Sequence, residues 1–172
     1  FFFRDFTFFN YWGRIPKELK KNGATIYYGN HQSALSIPES ASELAKRIET
    51  LAKTTGADKF NIIAHSKGGL DCRYALAFCD AGPMVASLTT INTPHRGCKF
   101  ADYLLDKIPH YAQQKVAAAY NKTLRRLGEA DADFMAAVTD LTSARCTQLD
   151  SLMPMPEQIV CRSIGSKLNR AA

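Results

Sequence analysis

Phe60-Asn61-Ile62-Ile63-Ala64-His65-Ser66-Lys67-Gly68-Gly69-Leu70 is the stretch on which the reading of the fold turns. The apolar run Phe60 to Ala64 has the length of a buried strand, and from Leu70 onward Leu70, Tyr74 and Ala77 recur at helical spacing. The sequence therefore predicts a strand, a very tight turn and a helix, with Ser66 at the apex. A hydroxyl at such an apex projects above a sheet, and the amide of the next residue, Lys67, points from a helix N-terminus toward any oxyanion formed there. Small residues flank Ser66, as a strained turn without room for branched side chains requires. The pattern is Ala64-x-Ser66-x-Gly68, with alanine at the first glycine of G-x-S-x-G. The bland alternative is an ordinary loop or helix cap, because serine before a Gly-Gly pair also caps helices. A phosphate-cradling turn is disfavoured, since G-x-x-x-x-G-K-[ST] is absent and Lys67 follows the serine.

Working upstream, Ser36-Ile37-Pro38-Glu39 has the form of a capping box and opens a helix ending near Gly56. Its apolar face is Ile37, Ala41, Leu44, Ala45, Ile48, Leu51 and Ala52, while Glu43, Lys46, Arg47 and Glu49 face water. Ala24-Thr25-Ile26-Tyr27-Tyr28 reads as a strand closed by Gly29-Asn30. Residues 10–22 read as a helix with Pro16 in its first turn, Gly23 as its stop and Trp12 in the core. His31 reads as a loop or capping histidine with no acid in an obvious place beside it.

Downstream, Gly82-Pro83 breaks the chain and Val85-Ala86-Ser87-Leu88-Thr89-Thr90-Ile91 reads as another strand, leading into the loop Asn92-Thr93-Pro94-His95-Arg96-Gly97. Residues 100–141 are alanine-rich and helical in pattern, with helices expected over 101–106, 111–127 and 130–138. Forty residues exceed a simple crossover, so the stretch reads as a helical lid or cap over a site. The alternative is a helical layer that merely packs on the sheet. Met153-Pro154-Met155-Pro156 is a turn, and residues 158–164 form a last strand. Helices alternating with strands predict an α/β fold, a mostly parallel sheet flanked by helices. Its working loops lie at the carboxyl ends of the strands, where Ser66 and the 92–97 loop both fall.

Composition bounds the function classes. The chain has 172 residues, 46% of them hydrophobic, enough for one core, so residues 1–172 read as a single domain. No apolar run approaches a membrane span. The opening Phe1-Phe2-Phe3-Arg4-Asp5-Phe6 is too short and too soon charged for a signal peptide and looks like a chain entered partway. The compartment stays open, cytoplasmic or secreted. The net charge of +6 comes from scattered residues such as Lys17, Lys20 and Lys21, or Arg125 and Arg126, which read as solvated helix faces rather than a nucleic-acid stripe. The five cysteines, odd in number, form neither a C-x-x-C pair nor a zinc spacing. Cys72 and Cys79, seven apart on the helix after Ser66, read as reduced, partly buried thiols, which leans toward a reducing compartment without excluding export.

Ala64-His65-Ser66-Lys67-Gly68-Gly69-Leu70, Leu88-Thr89-Thr90-Ile91-Asn92-Thr93-Pro94-His95-Arg96-Gly97 and Tyr11-Trp12-Gly13-Arg14-Ile15-Pro16 together resemble bacterial triacylglycerol lipases and esterases of the α/β-hydrolase fold. The resemblance covers nearly the whole chain. It implies a serine carboxylester hydrolase acting on acylglycerol or other acyl esters, with a Ser, Asp, His triad in that order, a two-amide oxyanion hole and a helical lid, here 100–141. Ser66 matches the nucleophile, Lys67 the oxyanion amide after it, and Phe1 the second oxyanion donor. The acid and histidine of the resemblance have no matching position here. Among the histidines present, His65 should point away from the hydroxyl, His95 resembles a loop-holding residue, and His110 falls in the lid. No cofactor and no metal ligands are expected. An acyl ester or lipid is the expected substrate, with a lipid–water interface as a candidate place to meet it. The competing readings are a non-catalytic lipid- or partner-binding domain and an acyltransferase or thioesterase of the same fold.

Overall fold

Three parallel strands carry the architecture, β1 (Phe60–His65), β2 (Val85–Ile91) and β3 (Val160–Ile164), adjacent in that order in one sheet. A computed structural model describes residues 11–126 and 128–167, and the statements below concern those residues. The register sets Ala64 opposite Thr90 and Thr90 opposite Ser163. Hydrogen bonds run on past the strand ends, from Ser66 N to Ile91 O at 3.0 Å and from Asn92 N to Ile164 O at 2.8 Å. Ser66 and Asn92 are thereby held side by side at the carboxyl edge, as expected for working loops of an α/β sheet.

The helices, in chain order, are α1 (Ile15–Lys21), α2 (Ile37–Thr55), α3 (Lys67–Phe78), α4 (Lys99–Lys107), α5 (His110–Arg126), α6 (Phe134–Asp140) and α7 (Ser143–Leu152). α2 starts where the capping box requires: Ser36 Oγ accepts from Glu39 N, and the Glu39 carboxylate accepts from Ser36 N at 3.2 Å. It stops at Gly56, whose φ of 70° is left-handed and free of cost for glycine. Its face of Ala41, Leu44, Ala45 and Ile48 packs with Cys72, Ala75 and Leu76 of α3 and with Ala64, Val85 and Leu88 of the sheet to make the main core. A second cluster joins Ile37 and Leu70 to Cys146, Leu149 and Met153, so α7 closes the far side of α3.

Several expectations are corrected. Residues 24–28 form no strand: the half-buried Ile26 and Tyr28 and the exposed Tyr27 keep the period of two, but no described strand pairs with them, and pairing is what makes a strand. The first helix begins at Ile15, not residue 10, because Pro16 has no N–H to give and is tolerated only in a first turn. α1 buries none of its residues and Trp12 is half-buried, outside the core clusters. α6 starts at Phe134 rather than 130, where Asp133 caps it by accepting from Ala136 N at 3.0 Å. α7 was not foreseen, since only Cys146 and Leu149 of its ten residues are buried, too few for a periodic signal.

Candidate functional site

Ser66 sits between β1 and α3 with φ 52° and ψ −134°, a conformation that costs a non-glycine residue of the order of 1–3 kcal/mol. The surroundings over-determine it: its N–H is tied to Ile91 O, and its carbonyl accepts Gly69 N at 3.1 Å. Ser66 holds the N-cap position of α3, yet its side chain makes no capping hydrogen bond. The capping alternative therefore fails, and the half-buried hydroxyl is left at the carboxyl edge of the sheet. Strand, strained serine and helix N-terminus are the elements by which a serine hydroxyl and a following amide can converge on one carbonyl group, the hydroxyl at its carbon and the amide at its oxygen.

The two glycines after Ser66 have different reasons. A Cβ at Gly68 would meet nothing within 4 Å, whereas one at Gly69 would lie 2.7 Å from Thr93 Cγ2 and closer still to Thr93 Oγ1. Small size is thus demanded at Gly69, where the loop after β2 presses on α3, and the crowding expected at both positions exists at one.

Lys67 is the first residue of α3, and its N–H is among the helix-terminal donors that have no intrahelical partner. Its side chain turns inward and is buried, with Nζ 2.8 Å from Asp71 Oδ1 and 3.0 Å from Ser40 Oγ. Asp71 is 1% exposed, and its other oxygen stands 3.6 Å from Nε2 of His31, whose side chain is 8% exposed. The expectation that His31 lacks an acid is corrected: it faces Asp71 across the interior. Sequence reasoning missed Asp71 and Ser40, although the Lys67 and Asp71 spacing of four on a helix was a usable signal.

Two residues beyond Asp71, Arg73 is buried and joins three segments. Its Nη2 donates to Asp150 Oδ1 at 2.7 Å and to Met153 O at 3.3 Å, and its Nη1 donates to His95 Nδ1 at 3.3 Å. His95 Nε2 in turn meets Thr90 Oγ1 at 3.0 Å. Burial, with the Arg73 charge second and Asp150 opposing, holds the His95 pKa below its ordinary value. Both ring nitrogens are engaged, so His95 fastens the loop. The Tyr11 hydroxyl and His65 Nδ1 are hydrogen-bonded, and their rings meet edge-on at 5.4 Å. His110 is exposed beside Gln114. Among the described residues no histidine is hydrogen-bonded to Ser66. Phe1, the expected second oxyanion donor, lies outside the described residues.

Comparison with known proteins bears on the family and the fold. The sequence profile of the palmitoyl protein thioesterase family matches residues 16–130. A triacylglycerol lipase of Pseudarthrobacter phenanthrenivorans is 35% identical over 155 residues, covering 84% of this chain and 48% of the relative. One of Burkholderia plantarii is also 35% identical over 155 residues, covering 84% and 43%. Triacylglycerol lipase 2 of Saccharomyces cerevisiae is 38% identical over 101 residues, 56% of this chain and 31% of the relative. A Bacillus licheniformis lipase superposes with a TM-score of 0.60 in its mature form, covering 86% of this chain and 55% of that one at 20% identity. Its propeptide form gives 0.65, covering 88% and 32%, again at 20% identity. The parallel sheet flanked by helices is the α/β-hydrolase fold of these lipases. The chain spans just under half the length of the first two relatives.

Proposed function

The chain belongs to the palmitoyl protein thioesterase family, and on that premise we propose that it carries the nucleophile region of a serine carboxylester hydrolase, a lipase or esterase working through an acyl-enzyme on Ser66. The observation that carries this reading is the strained, uncapped Ser66 at the N-terminus of α3. Ser66 Oγ attacks the ester carbonyl carbon as its proton passes to a histidine base. The carbonyl π pair moves onto oxygen, and the tetrahedral oxyanion receives the Lys67 N–H. Collapse expels the alcohol, which takes the proton from the histidinium. Water then repeats the attack on the acyl-enzyme, releasing the carboxylic acid and restoring Ser66. Each oxyanion donor contributes about 3 kcal/mol to the barrier reduction.

With the rings of His65 and His95 engaged elsewhere, the base is assigned to sequence beyond this chain, as the family resemblance implies. The second oxyanion donor is assigned to the Phe1 amide on the same ground. Residues 100–141 are assigned as a lid. Exposed Phe100, Tyr103, Tyr111 and Tyr120 on α4 and α5 suit a lid that meets apolar acyl chains or a lipid–water interface. The profile match to thioesterases favours fatty acyl thioesters as a second substrate class, served by the same acyl-enzyme.

Covalent labelling with a fluorophosphonate, read by intact mass and peptide mapping, tests the nucleophile. Adduct confined to the Ser66 peptide and abolished in a folded Ser66→Ala variant is the expected result. Undiminished ester turnover by full-length Ser66→Ala would reject Ser66 as the nucleophile.

A further inference from the structure

We propose that the buried Lys67–Asp71 ion pair is a positioning device that fixes the Lys67 amide for its work on the oxyanion, an inference that rests on the reading of Ser66 and Lys67 just given. Lys67 has two ends with two environments. Its N–H stands at the N-terminus of α3, while its ammonium is drawn under the turn between Asp71 Oδ1 at 2.8 Å and Ser40 Oγ at 3.0 Å. A buried ion pair is weak evidence for stability, because desolvation of both charges offsets their attraction and apolar replacements often cost nothing. Its placement suits another role.

The pair spans the first turn of α3 and closes that turn into a ring of backbone and side chain. Ser40 ties the ring to α2, with its own proton given to Gln32 O at 2.9 Å. On the other side His31 Nε2 lies 3.6 Å from Asp71 Oδ2, and His31 is itself backed by Gly29, where even a Cβ would come within 3.1 Å of Nδ1. Asp71 is therefore bonded to Lys67 on one side and flanked by the His31 ring on the other. Ser66 stores strain at φ 52°, and the simplest relief is rotation of the Ser66–Lys67 peptide. That rotation would turn the Lys67 N–H away from the Ser66 hydroxyl and pull Nζ off Asp71. The ion pair opposes it.

The test uses the full-length enzyme with a p-nitrophenyl ester, measuring kcat, KM, the fluorophosphonate labelling rate and the thermal midpoint. The variant K67M/D71L exchanges the pair for apolar groups of similar size. It is expected to keep the thermal midpoint near that of the parent while kcat and the labelling rate fall roughly 10- to 100-fold and KM changes little, because a misplaced donor weakens only the transition state. Ser40→Ala leaves the pair but removes its brace, and kcat should fall a few-fold, on the order of threefold. A folded K67M/D71L with parental kcat would make the pair structural only and overturn the proposal. If K67M/D71L does not fold, Ser40→Ala decides, and parental kcat there overturns it. Turnover that survives Ser66→Ala unchanged is the distinct result that rejects the serine mechanism, and the positioning role with it.

Discussion

Gly69 and Thr93 meet with no space between them: a methyl group on Gly69 would press on Thr93 Oγ1 and lie 2.7 Å from Cγ2 and 2.9 Å from Cβ. The first turn of α3 and the loop leaving β2 are thus in direct contact beside Ser66. Gly69→Ala should destabilise by about 1–3 kcal/mol through overpacking and slow ester turnover by moving the turn. Thr93 Oγ1 is buried without a hydrogen-bond partner, so Thr93→Gly loses no bond and should recover part of the loss in the Gly69→Ala background. Gly68→Ala has open space and should be neutral or stabilising by up to about 1 kcal/mol. Urea midpoints of the three variants check this, and equal midpoints for Gly68→Ala and Gly69→Ala would contradict it.

Glu129 fastens the connection between α5 and α6 to the loop before α2. The buried carboxylate accepts from Ser33 Oγ at 2.8 Å, Ser33 N at 3.1 Å and Ala34 N at 3.0 Å, while Asp133 N donates to Ala34 O at 2.7 Å. Removing the acceptor strands these donors. Glu129→Ala should cost about 3 kcal/mol and Glu129→Gln, which keeps one acceptor oxygen, about 1 kcal/mol. Hydrogen exchange at Ser33 and Ala34 should accelerate in the same order, and unaltered exchange would show that the carboxylate does not hold the loop.

The turn at Ser66 is legible in the sequence because the apolar period changes across it, from a continuous run to helical spacing, with only small residues between. The same reasoning overreached at residues 24–28, where strand-like composition is present but the pairing partner that makes a strand is a property of the rest of the chain. Lys67, Asp71 and Arg73 are harder still. A charged residue on a helix reads as solvent-facing until its partner is known, and Arg73 finds Asp150 and Met153 nearly eighty positions away. Beyond the four-residue spacing of Lys67 and Asp71, no local pattern announces the interior polar network behind the turn, because Ser40 and His31 are distant in sequence. α7 escaped for a different reason, having too few buried residues to show a face.

Thiol reactivity should follow burial. Cys72 is enclosed in the main core, where burial first and the Asp71 charge second push its pKa far up. Cys146 is 1% exposed and its thiol is pushed up to about 11, again mainly by burial. Cys161, on the last strand, is exposed. Iodoacetamide at pH 8 should therefore modify Cys161 in the native protein and reach Cys72 and Cys146 only once denaturant is added. Peptide mass mapping reads the order, and native modification of Cys72 would refute the packing of α3 on α2.

His95 sets a pH dependence whose sign follows from its surroundings. Folding lowers its pKa below the ordinary 6.5, chiefly by burial and then by the Arg73 charge, with Asp150 opposing. Below pH 6.5 the unfolded chain binds the proton more readily, so the contribution of neutral His95 is fully present above that pH and is lost as the pH falls toward the folded pKa. Protonation would also set a second cation against Arg73 Nη1 and end its acceptance at Nδ1, loosening the 92–97 loop from α3. His95→Gln can retain a donor and an acceptor but cannot titrate. Its thermal midpoint should decline less steeply than that of the parent between pH 7 and pH 5, and the two slopes should coincide above pH 7. Parallel slopes across the whole range would show that His95 is not the titrating group.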